Sequence, residues 1–478
     1  MVMMERSPEL SASDSTEGQG VEPESRGSFG RWLFVIVIAG IAIRISFAVV
    51  WQDAIPLQGD PLFFQQTAAQ LADGHGYVER FLGHGPPVAT ALHPPAFPIV
   101  LAFLDLLGFR SANAHRYALS FIASGGIVAM GFLGRKLLNP GAGLIAAGIA
   151  ALSPLWIQPA GKVLSESLYL VIIPIVLLFA LSCIDRPGYW RFSALGLMIG
   201  VATLTRSEAL TLIALMGVPL VLFASRSWGE RARFGLVLLA GFLLVVGPWL
   251  VRNEVSLGGF SLSTDGGTTL VGAYSHATFS PDSPLYGSFD SLTQYGDSAV
   301  LFKYGHPPNH AKHWTELTLD NALGHVGTSY ARAHLSDLPG VVLAREGRLW
   351  GLYSSGSELA FDLSSDGNGV AGFQTAGQYL NWVLLPLAAC GTVFLYRRSR
   401  RRYLVIVLAP IVANALTASV TFGSTRYRAL AEPSIAVLAA VGAMALVNLF
   451  LQRRRGSAPE PLREEGRDGL PDSPRPIG

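Results

Sequence analysis

Gln58-Gly59-Asp60-Pro61-Leu62-Phe63-Phe64 opens the hydrophilic segment after the first membrane-length apolar run, and that segment closes at His93-Pro94-Pro95. Asp60 stands where a helix N-cap belongs, Pro61 takes the favoured first helical position, and Asp73-Gly74 supplies a C-terminal stop. These signals predict a short helix between the caps. Phe64, Ala68, Leu71 and Ala72 share one face of it, while Gln66, Gln70 and Asp73 share the other. That is the spacing of an amphipathic helix lying in a bilayer surface, and it holds Asp60 at the membrane edge. On this local pattern alone, Asp60 caps a helix and nothing more.

The chain around the loop is half hydrophobic over 478 residues and only 14% charged. Its mean hydropathy is positive. This is the composition of a polytopic membrane protein, not of a soluble enzyme. Trp32 to Trp51 is long enough to span, with Arg44 as its single charge, which needs a partner or a wet cavity. Apolar runs recur near residues 117–133, 142–157, 168–184, 192–204, 209–223, 234–251, 380–396, 404–420 and 434–451, so about ten transmembrane helices are expected. The clusters Arg135-Lys136, Arg186 with Arg191, Arg226 to Arg233, Arg397 to Arg402 and Arg453 to Arg455 belong in the cytoplasm by the positive-inside rule. Pro98 to Gly108 is short and carries Asp105, and crossing there would invert every later cluster. It reads as a second helix lying on the outer surface.

The expected architecture is an all-α polytopic membrane protein. A transmembrane module covers 31–251 and includes an external loop at 52–115. A larger external insertion fills 252–377, with a helix-like stretch from Ala311 to Ala333, and C-terminal spans fill 378–452. The tails 1–30 and 453–478 are polar and Pro- or Ser-rich, and are expected to be disordered in the cytoplasm. Cys183 and Cys390 lie in apolar runs, which gives neither a disulfide framework nor metal-ligand spacing. His84, His93, His306, His310 and His313 are scattered, and Gly74-His75-Gly76 lacks the rest of a nucleotide motif. Zinc, ATP, a nucleotide sugar and nucleic acid are therefore not expected as partners.

Several charges sit at the outer ends of spans. Glu166, in Leu164-Ser165-Glu166-Ser167, follows a helix broken by Pro154 and Pro159, with Lys162 one turn earlier. An acid in a first helical turn also has a plain reading, stabilisation by the helix dipole. Thr205-Arg206-Ser207-Glu208 interrupts an apolar run and is either an ion pair or the lining of a wet cavity. Pro248-Trp249-Leu250-Val251-Arg252-Asn253 precedes the turn Ser263-Thr264-Asp265-Gly266-Gly267, and Arg252 beside Trp249 also suits an interfacial anchor. Thr425-Arg426-Tyr427-Arg428 puts two arginines on the side that positive charge usually avoids. Guanidinium groups there suit a phosphate at the headgroup level, or snorkel to lipid.

In order and spacing, these elements resemble the GT-C membrane glycosyltransferases, specifically the protein mannosyltransferase and aminoarabinose transferase-like group of family 39. The chain departs from that pattern at Pro61 and Phe64, where the family often has a second acid and a tyrosine. The resemblance implies a GT-C fold and inverting transfer of a sugar from a polyprenyl phosphate, on the outer face of the cell membrane, to a glycan, lipid or protein acceptor. It makes Asp60 the catalytic base, with Glu166 facing it. It assigns the donor phosphate to Lys162, Arg206, Arg252, Arg426 and Arg428, and site-shaping or acceptor contacts to Tyr77, His93, Glu208 and Asn253. Glu166 would either orient the acceptor or share a divalent cation, magnesium or manganese, with Asp60. Two other readings use the same charges: a flippase or secondary transporter for a lipid-linked sugar, and a glycan polymerase or ligase. A transporter predicts polar residues near mid-span and broken helices in paired positions.

Overall fold

The computed structural model describes residues 24–53, 55–79, 87–291, 315–354, 356–357 and 370–456. The two tails expected to be disordered lie largely outside these residues, as do His84, His306, His310 and His313. Helix α1 (Glu24–Phe47) ends in a π-helical turn, Ala48–Gln52, and delivers the chain to the first loop. We call that end of the bundle the site end. Arg44 is buried within α1 and donates to the carbonyls of Gly40 and Ala150, so backbone oxygens supply the partner it needs.

The first loop carries α2 (Asp60–Ala72), the antiparallel pair β1 (Val78–Glu79) and β2 (Val88–Ala89), and α3 (Ala96–Leu106). The apolar face of α2 is the one expected but meets the protein's own core and not the bilayer surface: Phe64 and Ala68 are buried, Leu71 and Ala72 pack on the core, and Gly74 ends the helix at φ +82°. The cap differs from expectation. Gly59 is the N-cap and, having no side chain, makes no capping bond, while Asp60 is the first helical residue and its carboxylate has the partners described below. Helix α3 has 11 residues, too short to cross. Ile99, Phe103 and Leu106 are exposed on it, and its buried Asp105 bonds His115 at 2.9 Å.

From the site end α4 (Ala112–Leu137) runs away and ends at Arg135-Lys136. The chain returns through α5 (Pro140–Leu152) and α6 (Pro154–Lys162), which meet at 46° where Pro154 starts a new helix. Then come α7 (Glu166–Asp185), α8 (Tyr189–Thr205), the span α9 (Ser207–Ala224) and α10 (Trp228–Leu257). After α11 (Gly266–Ala273), α12 (Glu316–Ala333) and α13 (Leu338–Leu349), three spans close the bundle: α14 (Ala371–Arg397), α15 (Arg401–Val420) and α16 (Glu432–Gly456).

Among the described residues eight helices are long and apolar enough to cross a membrane, and nine with the bent pair counted as one. Helix α8 has 17 residues, about 25 Å, and falls just short by length. It leaves the far end of α7, and Arg206 at its other end meets Glu166 at the start of α7, so it runs back along the whole of that span. The expected ten is one more than this count, and α8 is the difference. Close approach explains how so short a helix is held. A Cβ on Gly196 would lie 2.0 Å from the Leu238 carbonyl oxygen, and one on Gly241 2.2 Å from that of Ser193, so α8 and α10 touch backbone to backbone as small residues allow.

This connectivity puts the clusters Arg135-Lys136, Arg186/Arg191, Arg226–Arg233 and Arg397–Arg402 at the end of the bundle away from the site. The positive-inside rule gives the expectation that this end faces the cytoplasm. The expectation can be checked in a background with Cys183 and Cys390 replaced by alanine. Exposed Ser336→Cys should react with a membrane-impermeant thiol reagent on intact cells, and Arg401→Cys only after permeabilisation. The reverse pattern would invert the protein.

Candidate active site

Side chains from distant parts of the sequence meet at the site end in one chain of alternating charge. His93 Nε2 lies 3.4 Å from Asp60 Oδ1, and Asp60 Oδ2 accepts from Arg426 Nη2 at 2.9 Å. Arg426 Nε reaches Glu166 Oε1 at 3.3 Å, the same oxygen that Arg206 Nη1 approaches at 2.9 Å. Arg206 Nε then donates to Glu208 at 2.8 Å. The Tyr427 ring lies between the arginines, each guanidinium 5.3 Å from its centroid. Sharing an arginine on each side lets buried Glu166 stay charged.

Local structure sets each member in place. Val163 adopts φ 59° at the end of α6, a left-handed turn uncommon for a β-branched residue, and turns the chain so that Glu166 opens α7. Arg206 is extended between α8 and a 3-10 turn, which aims it and Glu208 at the site. The 3-10 turn Arg426–Leu430 does the same for Arg426. The Tyr77 hydroxyl donates to the His93 carbonyl at 2.8 Å, and the imidazole packs against Phe63 and Phe64.

Burial opposes the charge on Asp60, but the hydrogen bond and charge of His93, joined by Arg426, outweigh it and hold the carboxyl well below its ordinary value. For His93 burial is likewise overcome, by the Asp60 bond, and the imidazole is held above its ordinary value. The base candidate is thus held as a carboxylate between His93 and Arg426.

Two cavities flank this chain of charges. One, of about 450 Å³, is lined by Asp60, His93, Arg206, Glu208, Asp265 and Tyr427 among others. A smaller one has Lys162, Glu166, Arg426, Gln158 and Gln374 beside apolar Leu155, Pro159 and Leu164. The sequence-predicted residues Asp60, Glu166, Lys162, Arg206, Arg426, His93 and Glu208 therefore line one cavity or the other.

Arg252, Asn253 and Arg428 line neither. Arg252 donates to the carbonyls of Thr90 and Tyr77 and stacks near Tyr77 and Trp249, so it holds the first loop on α10. Asn253 accepts from Arg252 and donates to the Ser261 carbonyl. Arg428 is buried and pairs with Glu432, because two residues along a 3-10 turn it faces away from Arg426. Arg426 fills the place between Asp60 and Glu166 that a cation would take. No group of three metal-binding side chains forms among the described residues, and this arrangement does not fit a divalent ion.

Sequence reasoning passed over Asp265, quoted only as part of a turn, and Glu316. Glu316 accepts from the Ala91 amide at 3.0 Å and from the hydroxyls of Thr90 and Thr264, while the Thr264 amide donates to the Ala91 carbonyl. One carboxylate thus ties the strand leading to His93 to the strand leading to Asp265. Glu79 on β1 interacts with it: burial first, then the charge of Glu316, push Glu79 up to about 7. A carboxyl raised in the fold contributes stability below its ordinary value of 4.5 and loses it as pH rises through about 7. Glu79→Gln should flatten that decline between pH 4.5 and 7 relative to wild type, as read by thermal unfolding against pH. Parallel wild-type and variant curves would show that Glu79 is not the titrating group.

Residues 92–251 match the sequence family described as dolichyl-phosphate-mannose-protein mannosyltransferase, which takes in α3 to α10. The archaeal oligosaccharyltransferase AglB from Archaeoglobus fulgidus, solved with an inhibitory peptide and a dolichol-phosphate, aligns at a TM-score of 0.51 and 12% identity. Its apo form aligns at a TM-score of 0.50. The chain shares its fold with these oligosaccharyltransferase structures. The alignment with AglB covers 90% of this chain and 51% of the other, so the chain spans about half that protein's length. ArnT from Cupriavidus metallidurans, bound to undecaprenyl phosphate, gives a TM-score of 0.39 at 16% identity over 90% of this chain and 81% of its own, and adds nothing to the fold assignment. No curated protein matches this chain in sequence.

Proposed function

We propose that this protein transfers a sugar from a polyprenyl-phosphate donor to an acceptor hydroxyl, with inversion, on the outer face of the membrane. The observation that carries the reading is Arg426, bonded to Asp60 and Glu166 on the wall between two cavities. The smaller cavity joins Lys162 and Arg426 to apolar side chains, which suits a phosphate head and the start of a prenyl chain. The dolichol-phosphate bound by AglB supports the same class of lipid.

In this reaction the acceptor oxygen attacks the anomeric carbon from the side opposite the phosphate, and Asp60 takes its proton. The bond from the anomeric carbon to the phosphate oxygen breaks, and its electron pair leaves with the lipid phosphate. Arg426 and Lys162 stabilise the charge that grows there. His93 orients Asp60, while Glu166 and Arg206 fix Arg426.

Purified protein should release free undecaprenyl phosphate from one of a panel of undecaprenyl-phosphate hexoses and pentoses, and only when an acceptor is added. A flippase would move the lipid without cleaving that bond. Turnover with a nucleotide sugar in the absence of lipid would overturn the proposal.

A further inference from the structure

We infer that the large cavity beside Asp60 takes a neutral, hydroxyl-rich saccharide as the acceptor, with Asp265 as the carboxylate that recognises it. This rests on the transfer reaction proposed above and names its acceptor class.

The two cavities differ in charge. Lys162 and Arg426 face one carboxylate in the smaller, whereas Asp60, Glu208 and Asp265 outnumber Arg206 and His93 in the larger. A second anion in the larger cavity would meet three carboxylates, while a polyol would offer each of them a hydroxyl donor. About 450 Å³ falls within the range of small-molecule sites and suits saccharide rings, not a folded partner. Ser207, Thr269 and Asn414 add hydroxyl and amide groups, and Phe64, Phe422 and Tyr427 offer apolar ring faces against which the C–H faces of a sugar pack.

Asp265 is the least committed carboxylate there. It occupies the N-cap position of α11 yet makes no side-chain capping bond. Among the described residues its neighbours act on it through charge: His93 and Arg206 attract it, and Asp60 and Asp320 repel it. Burial is the leading cause that pushes its carboxyl up to about 6, which marks an acid short of donors. Glu316 and the Thr264–Ala91 bond hold Asp265 on the wall shared with His93. One acceptor hydroxyl would lose its proton to Asp60 as its oxygen bonds to the anomeric carbon and the lipid phosphate departs, while another donates to Asp265.

The test supplies purified full-length protein with the undecaprenyl-phosphate sugar it turns over. Three acceptor probes are compared: methyl α-mannoside, methyl α-glucuronide and a blocked threonine tripeptide. The neutral glycoside should be used with a kcat/KM at least about tenfold above the anionic one and above the peptide. Asp265→Asn should raise KM for the neutral glycoside about 10- to 100-fold, with the main loss in KM instead of kcat. Asp265→Glu should recover part of that loss. An unchanged donor KM in both variants shows an intact fold. Preference for the peptide or the glucuronide, or an Asp265→Asn acceptor KM equal to wild type in a folded protein, would overturn the inference and leave the lipid-donor reaction standing. No release of undecaprenyl phosphate with any pair would remove the transfer reaction, and the inference with it.

Discussion

Asp60→Asn is expected to lower kcat for sugar transfer about 100- to 10,000-fold, the usual worth of a general base, with little change in donor KM. Asparagine keeps the size of the side chain and an oxygen that can accept from Arg426, but it cannot take a proton. The fold gives this substitution a clean reading. Gly59 and not Asp60 is the N-cap of α2, and the Asp60 side chain makes no capping bond, so the helix start is untouched. Arg426 also keeps Glu166 as a partner. The Asp60 side chain is 35% exposed and Arg426 retains an oxygen acceptor at position 60, so loss of the charge should cost about 1 kcal/mol or less of stability. Single-turnover kinetics beside a thermal unfolding midpoint would check both parts. A folded Asp60→Asn protein with undiminished turnover removes the base and leaves Asp60 as a counter-ion to Arg426.

Arg426→Ala should cost about 100- to 1,000-fold in kcat, the scale for removing one preorganised donor from a developing anion. The same change should shift the pH profile in a stated direction. His93 and Arg426 together hold the Asp60 carboxyl below its ordinary value, so removing the arginine raises it. The acid limb of kcat/KM then moves to higher pH. Arg426→Lys restores charge but cannot bridge Asp60 through one nitrogen and Glu166 through another, so it should stay at least about tenfold below wild type. In the proposed reaction, a donor phosphate engaging Arg426 would share the arginine's hold on Asp60 and make the carboxylate a stronger base, which would couple donor binding to proton removal. A full rescue by lysine, or an acid limb that stays where it was, would show that Arg426 acts only as a diffuse charge. Loss confined to KM would place its grip in the ground state instead.

Composition and periodicity alone determined that the chain is a helical membrane protein and which end of it carries the basic clusters. Membrane-length apolar runs and charge asymmetry are local quantities that lipid reads directly. The short α3 and the amphipathic face of α2 were legible for the same reason. Motif order pointed to Asp60, Glu166, Arg206 and Arg426, because charges at span ends are costly enough to need a purpose. What tertiary structure decided was which of the neighbouring charges meet. Arg426 and Arg428 are equivalent in the string Thr425-Arg426-Tyr427-Arg428, yet a 3-10 turn sends one to Asp60 and Glu166 and buries the other against Glu432. Arg252 reads as a phosphate ligand until the first loop folds onto it and its donors go to carbonyls. Asp60 reads as a cap until Arg426, 366 positions away in sequence, arrives beside it. Asp265 and Glu316 carry no periodic or compositional signal, since their roles arise from segments that only the folded chain brings together. Spacing along a helix or through a bilayer is written in neighbouring residues, whereas the partner of a buried charge is set by whichever distant segment packs against it.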